Sequence, residues 1–202
     1  MAKQKTASAT IIIPKQYRNL DVACDAIGGG RKALEYIHIL PSGFAFASDG
    51  WIAAIVPIRV EGILEPFAIS REIWHKVWQM VQADMVMVWK PGSLVISLPP
   101  LKVHISLDPA APKCPSWSQL IPDLTADPPA AHTVAFDPAL MARLANAIGE
   151  RWRKDIIMRS TGPRGPLWCR VDAEGWGLIM PIHVGEDNSL EEAKAKIGGG
   201  GQ

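Results

Sequence analysis

The chain has 202 residues, 48% of them hydrophobic and 20% charged, with a formal net charge of +1. This is the profile of a soluble globular protein with one large or two small cores. No apolar run approaches the ~20 residues of a spanning helix, and the opening Met-Ala-Lys-Gln-Lys-Thr-Ala-Ser lacks the apolar core of a secretory signal. No membrane contact and a cytoplasmic location are therefore expected. Cys24, Cys114 and Cys169 are odd in number and lack metal-ligand spacing, which favours buried thiols in a reducing compartment over a disulfide framework or a zinc site.

In chain order, Thr10 to Ile13 reads as a strand, and Tyr17 to Ile27 as a helix. That helix would bury Leu20, Ala23, Cys24 and Ile27, and expose Arg18, Asp21 and Asp25. Gly28-Gly29-Gly30 stops it. Strands follow at Ala33 to Leu40, Gly43 to Ser48 and Trp51 to Val60, the last two joined by the hairpin signal Asp49-Gly50. A second unit opens at Pro66-Phe67-Ala68-Ile69, with Ser70 capping a helix to about Ala83. Its core face would carry Ile73, Trp74, Val77, Met80 and Val81, leaving Arg71, His75, Trp78, Gln79 and Gln82 more exposed. Strands at Met85 to Trp89, Leu94 to Leu98 and Leu101 to Leu107 complete it. A proline-rich connector spans Asp108 to Ala131. The third unit reads as a strand at Thr133 to Phe136 and a helix from Pro138 to about Gly149 capped by Asp137. Strands near Ile156 to Arg159, Leu167 to Val171 and Trp176 to Val184 end it. Residues 185–202 are expected to be disordered.

The units are repeats. FAFASDGWIAAIVPIRV at 44–60 returns as WCRVDAEGWGLIMPIHV at 168–184, and ATIIIPKQ at 9–16 corresponds to HTVAFDP at 132–138. The short helical segments end at Ala26-Ile27-Gly28 and Ala147-Ile148-Gly149, and the offset between partners stays within 121 to 125 residues. One βαβββ unit is thus used three times.

Three such units, with SDGW at 48–51, CPSWSQLIPD at 114–123 and MPIHV at 180–184, resemble the bacterial DNA polymerase III beta sliding clamp over residues 9–184. The resemblance implies an α+β DNA-clamp fold: βαβββ modules with helices on the inner face and antiparallel sheets outside. Residues 9–123 would form a domain of two modules, 124–131 a linker and 132–184 a half-domain. Rings of the family resemble twelve modules, so three modules per chain imply a homotetramer. The odd module would need a neighbour to cover its open edge.

For function, the resemblance implies a ring that encloses double-stranded DNA without reading its sequence and tethers polymerases or repair proteins through short peptides, with no enzymatic chemistry, cofactor or metal. Basic residues on the helices would face phosphates. The candidates are Lys15, Arg18, Arg31, Lys32, Arg71, Lys76, Arg143, Arg151, Arg153 and Lys154. Region 15–32 has four cations against two carboxylates, 70–84 two against two, and 137–155 four against three, for a total of +3. The peptide groove implied by the closing strand would include Met180, Pro181 and Ile182, flanked by Trp176 and Val184. No GxSxG, HExxH or Walker pattern is present, and the five histidines are scattered. Two other readings stand beside the clamp. One is a single-strand nucleic-acid binder stacking bases on Trp89 beside Lys90, on Trp152 between Arg151 and Arg153, and on Trp168 near Arg164 and Arg170. The other is a clamp-fold protein that binds a replication factor without encircling DNA.

Overall fold

The structure is a computed structural model of the chain, and it describes residues 7–116, 136–149, 156–160, 166–171 and 175–180. Its first strands are β1 (Ala9–Ile13), β2 (Tyr36–Leu40), β3 (Phe44–Ser48), β4 (Ile52–Pro57) and β5 (Arg59–Gly62). Then come β6 (Phe67–Ser70), helix α1 (Arg71–Met80), β7 (Met85–Lys90), β8 (Ser93–Leu98) and β9 (Leu101–Ser106). Helix α2 (Pro138–Ala147), β10 (Ile156–Ser160), β11 (Leu167–Val171) and β12 (Gly175–Ile179) belong to the third unit. The expected strand at Thr133 to Phe136, the linker at 124–131 and the tail at 185–202 lie outside the described residues, apart from Phe136, which is not in a strand.

The strands build two antiparallel sheets, in the orders β5-β1-β7-β8-β9 and β10-β11-β12-β4-β3-β2-β6. The first strands of units one and two are exchanged: β1 lies beside β7, and β6 lies beside β2. Exchange ties the two units together, since neither sheet can be completed by its own unit. Trp51 to Val60, expected as one strand, is two. The chain leaves the seven-stranded sheet after Pro57 and re-enters the other sheet as β5, on the outer edge of β1. The third unit attaches through β12, which pairs with β4 from Ile52↔Ile179 to Ile55↔Trp176. These are the strands of the repeated Gly-Trp phrase, set antiparallel across an approximate two-fold. In space the units therefore run two, one, three.

Residues 15–27 depart from the expected α-helix. Lys15–Ala23 is 3-10 helical, kinked at Asn19, and Cys24 is already extended. Asn and Asp are poor formers of helix interiors, and a period of three residues per turn puts Tyr17, Leu20 and Ala23 on one face. All three are fully buried, whereas Ile27, expected in the core, is 62% exposed and Asp21, expected outside, is 5% exposed. In α1, Ser70 accepts a hydrogen bond from the Ile73 amide as its sequence suggests. The helix stops at Met80, so its core face is Trp74, Val77 and Trp78. Trp78 is buried and Met80 exposed, the reverse of expectation. In α2, Asp137 caps at Ala139 and Pro138 takes the first turn. One continuous core joins both sheets and three helical segments, 15–23, α1 and α2; a fourth, the 3-10 turn Lys32–Glu35, takes the start of the strand expected from Ala33 and buries no residue. A second cluster lies on the outer face of the seven-stranded sheet, formed by Phe46, Ala53, Ile55, Trp168 and Leu178 with Phe44, Cys114 and Trp176 packed against them.

Candidate functional site: the helical face and the β4–β12 seam

The three helical segments lie side by side over the seven-stranded sheet. Helix α2 rests on β12 and β4, the 15–23 segment on β4, β3 and β2, and α1 on β2 and β6. Polar bonds stitch them into one layer. The Trp74 indole donates to the Arg18 carbonyl at 3.0 Å, Arg143 donates to the Val22 carbonyl at 3.0 Å, and Asn19 donates to Asn146 at 2.7 Å. Gly149 ends α2 with φ +97°, and a Cβ there would meet the Gln16 carbonyl oxygen at 2.5 Å, so glycine alone lets α2 seat this closely on the first unit.

The seven described cations of the candidate set divide by their partners. Arg31 pairs with Asp25 at 3.0 Å, Lys76 with Glu72, and Arg143 with the buried carboxylate of Asp49 at 2.7 Å. Arg18 and Lys32 form no ion pair among the described residues, while Lys15 donates to the Gln82 carbonyl and Arg71 to that of Asp25. The cations of the layer outside ion pairs are thus Lys15, Arg18, Lys32 and Arg71, although Arg71 interacts with the Asp21 carboxyl and the Asp84 carboxylate accepts from the Lys15 amide at 2.9 Å. Arg143 is committed to holding unit three on unit one. Arg151, Arg153 and Lys154 lie outside the described residues.

Asp49 was legible only as a turn former, yet it organises the seam. Its Oδ1 accepts from the amides of Trp51 and Ile52 at 2.8 and 2.9 Å, while Oδ2 takes Arg143. Gly50 supplies the positive φ of 88° at the turn. Trp51, next in line, is 56% exposed, and its carbonyl accepts from the amide of Met180 at 2.8 Å. Strand alternation puts Trp51, Ala53 and Ile55 with Trp176, Leu178 and Met180 on the outer face. Trp176 meets Trp168 edge-on at 5.5 Å and carries the Arg170 guanidinium 4.9 Å above its ring. Two of the five groove candidates, Trp176 and Met180, are therefore placed on one face beside Trp51, a residue the motif did not single out. Pro181, Ile182 and Val184 lie outside the described residues.

Trp89 and Trp168, offered as stacking platforms, are buried at 2% and 4% exposure, so neither presents a free face to a base. Trp152 is outside the described residues. Burial pushes the Cys169 thiol up to about 12 and that of Cys114 up to about 11, and raises Cys24 as well, so none carries a thiolate at neutral pH. Buried His38 is held neutral by desolvation and faces the Ala33 carbonyl at 2.8 Å. Among the described residues, no group of three His, Cys, Asp or Glu side chains could hold a metal.

Desolvation raises the Asp21 carboxyl above its ordinary value, opposed by His75 at 3.2 Å. The folded chain then holds this proton to a higher pH than the unfolded chain. Asp21 therefore favours the fold at acid pH, and that contribution fades as pH rises through the raised value. Asp21→Asn is expected to flatten the fall in denaturation midpoint between about pH 4 and neutrality. A midpoint profile parallel to that of the parent chain would exclude this role.

This architecture, with exchanged βαβββ units, antiparallel sheets and a layer of helices on one face, is that of the DNA sliding clamps. The structure is similar to the DNA polymerase III beta subunit of Thermotoga maritima, with TM-score 0.60 and 10% identity, covering 88% of this chain and 65% of that one. It is also similar to the Helicobacter pylori beta clamp bound to a DNA ligase peptide, with TM-score 0.66, 8% identity and coverage of 91% and 68%. The sliding clamp of Bartonella birtlesii bound to griselimycin gives TM-score 0.63, 13% identity and coverage of 91% and 68%. The chain spans about two thirds of their length. No protein-family model and no curated protein matches the sequence. No helix among the described residues is long and apolar enough to cross a membrane.

Proposed function

We propose that the chain is a sliding-clamp-type processivity factor: four copies close a ring around duplex DNA and tether replication or repair proteins through short peptides. The observation that carries this reading is the continuous helical layer, whose cations outside ion pairs are Lys15, Arg18, Lys32 and Arg71, within a clamp fold. Such a surface suits phosphates without reading bases. It supplies no covalent chemistry, and a cytoplasmic site of action follows from a role on replicating DNA. Among the described strands, β9 and β10 each pair on one side only, at opposite ends of the two-one-three row. Of the four sheet ends, which also include β5 and β6, these two are the ones assigned to neighbouring copies. Two units of a clamp domain exchange first strands, so the third unit has its counterpart in another chain.

Light scattering should give about four times the chain mass of 22.0 kDa. The assembly should stay on closed circular DNA and leave linear DNA through its ends. A stable monomer would overturn the ring, and equal retention on both DNA forms would favour a binder that does not enclose its substrate.

The outer face at the seam is the proposed peptide groove, with Trp51 and Met180 as apolar walls; Ile182, which lies outside the described residues, is the next apolar residue of the closing motif. Met180→Ala with Ile182→Ala should weaken binding of clamp-binding peptides by about 1 to 4 kcal/mol while ring mass persists. A fall in melting temperature with peptide affinity intact would make the two side chains core instead.

A further inference from the structure

Units one and two are built alike up to the end of their last hairpin, and then diverge. After β4 the Ile58 amide donates to the Gly43 carbonyl at 2.9 Å, and after β9 the Leu107 amide donates to the Gly92 carbonyl at 3.0 Å. From Ile58 the chain runs on as β5 and covers the outer edge of β1. The described residues that follow Leu107 do not do the same for β6, the counterpart of β1. Asp108 instead closes a tight turn, accepting from the amides of Ala110 and Ala111 at 2.8 and 3.0 Å. Pro109 and Pro112 have no amide hydrogen to offer a ladder. The only described partner of β6 is β2, and a cleft of about 650 Å³ stands where the covering strand would be.

The cleft has the chemistry of a strand slot. Phe67, Trp89 and Leu107 line it with Pro109 and Pro112, and Phe67 stacks on Trp89 with ring centroids 6.4 Å apart. Its rim bears two carboxylates, Glu65 and Asp108, against one ammonium, Lys113. The segment that fills the matching place in the other sheet is Arg59–Gly62, in which the exposed Arg59 flanks the apolar Val60 and pairs with Glu61 at 2.6 Å. We propose that the β6 edge and this cleft form a docking site for an extended peptide segment of a partner protein, which pairs with β6, directs apolar side chains inward and sets a basic residue against Glu65 and Asp108. Backbone pairing would supply the affinity, and the pocket and rim charge the selectivity. The site adjoins the outer-face cluster of the seam through Cys114, but its β6 edge is not part of the seam and does not depend on ring formation.

The probe is a labelled synthetic peptide with the sequence of residues 58–64, IRVEGIL, which imitates the missing strand. It should bind the full chain about tenfold more tightly than its scrambled version, and slow exchange of the alternate β6 amides that face away from β2. Ala111→Trp fills the cleft from the surface connector and should weaken binding at least about tenfold with an unchanged melting temperature. Glu65→Lys, on an exposed side chain, provides the same test through charge if Ala111→Trp proves unstable. Scrambled peptide binding equally, protection appearing elsewhere, or undiminished binding to the folded variants would overturn the proposal. Loss of oligomer mass in Ala111→Trp would assign the cleft to a second copy. Peptide binding that requires deletion of residues 185–202 would assign it to the chain's own tail. Either result also overturns docking of a separate partner.

Discussion

Asp49→Ala is expected to cost about 3 to 5 kcal/mol and to release the third unit from the first. The Asp49 side chain is 6% exposed and does three things at once: it accepts from the amides of Trp51 and Ile52, and it pairs with Arg143 of α2. Alanine leaves two turn amides without their acceptor and the guanidinium without its anion. The Arg143 side chain is 41% exposed, so water recovers much of its solvation and the ion pair itself is the smaller part. Asp49→Asn keeps an acceptor for both amides and removes only the charge, and should cost about 1 kcal/mol. Hydrogen exchange is the decisive measurement. In Asp49→Ala, α2 and β12 should open well below the global unfolding free energy while β7 and β8 keep their protection. If Asp49→Asn proves as damaging as Asp49→Ala, the ion pair rather than the turn holds the units together.

The strands themselves were readable because their alternation is local. In β7, Met85, Met87 and Trp89 face the core while Val86 and Val88 are only half buried, and the repeated Gly-Trp phrase announced both turns. Which sheet each strand would join was not readable. Exchange of β1 and β6 is a choice between edges with the same apolar pattern, and nothing within β1 distinguishes pairing with β7 from pairing with β2. The same holds for the row two, one, three: repetition counts units but does not rank their contacts. The 15–23 segment failed differently. Its apolar residues at 17, 20 and 23 fit a period of three as well as one of 3.6, and the Asn19 kink decided between them. On α1 the misplacement of Trp78 and Met80 follows from where the helix ends. With Val81 already extended, Met80 projects past the core edge, and Trp78 completes the buried face with Trp74 and Val77. At the site, basic composition was legible but most of the compensation was not. Asp25, Glu72 and Asp49 neutralise three of the seven described cations; the Glu72–Lys76 pair follows from helical i,i+4 spacing, whereas the pairings of Asp25 with Arg31 and Asp49 with Arg143 come from the fold.

That division by compensation yields the sharpest test of the DNA-facing layer. Lys15→Glu combined with Arg18→Glu should reduce retention on closed circular DNA by about ten- to a hundredfold near 0.1 M salt, and lower the salt dependence by about 0.9 for each phosphate that is no longer neutralised. Both side chains are exposed on the 15–23 segment, at the middle of the three-helix layer, and neither is paired with a carboxylate among the described residues. Arg31→Glu combined with Lys76→Glu removes the same formal charge but starts from cations already neutralised by Asp25 and Glu72. A phosphate competing for them must first displace a carboxylate, so this pair should change retention only a few-fold and leave the salt slope nearly intact. Oligomer mass should be the same for both double variants, because none of the four residues lies on β9 or β10, the edges proposed to meet neighbouring copies. Equal losses from the two pairs would mean that net charge alone steers the DNA. No loss from Lys15→Glu with Arg18→Glu would remove the helical layer from the DNA path and leave this fold a partner-binding scaffold.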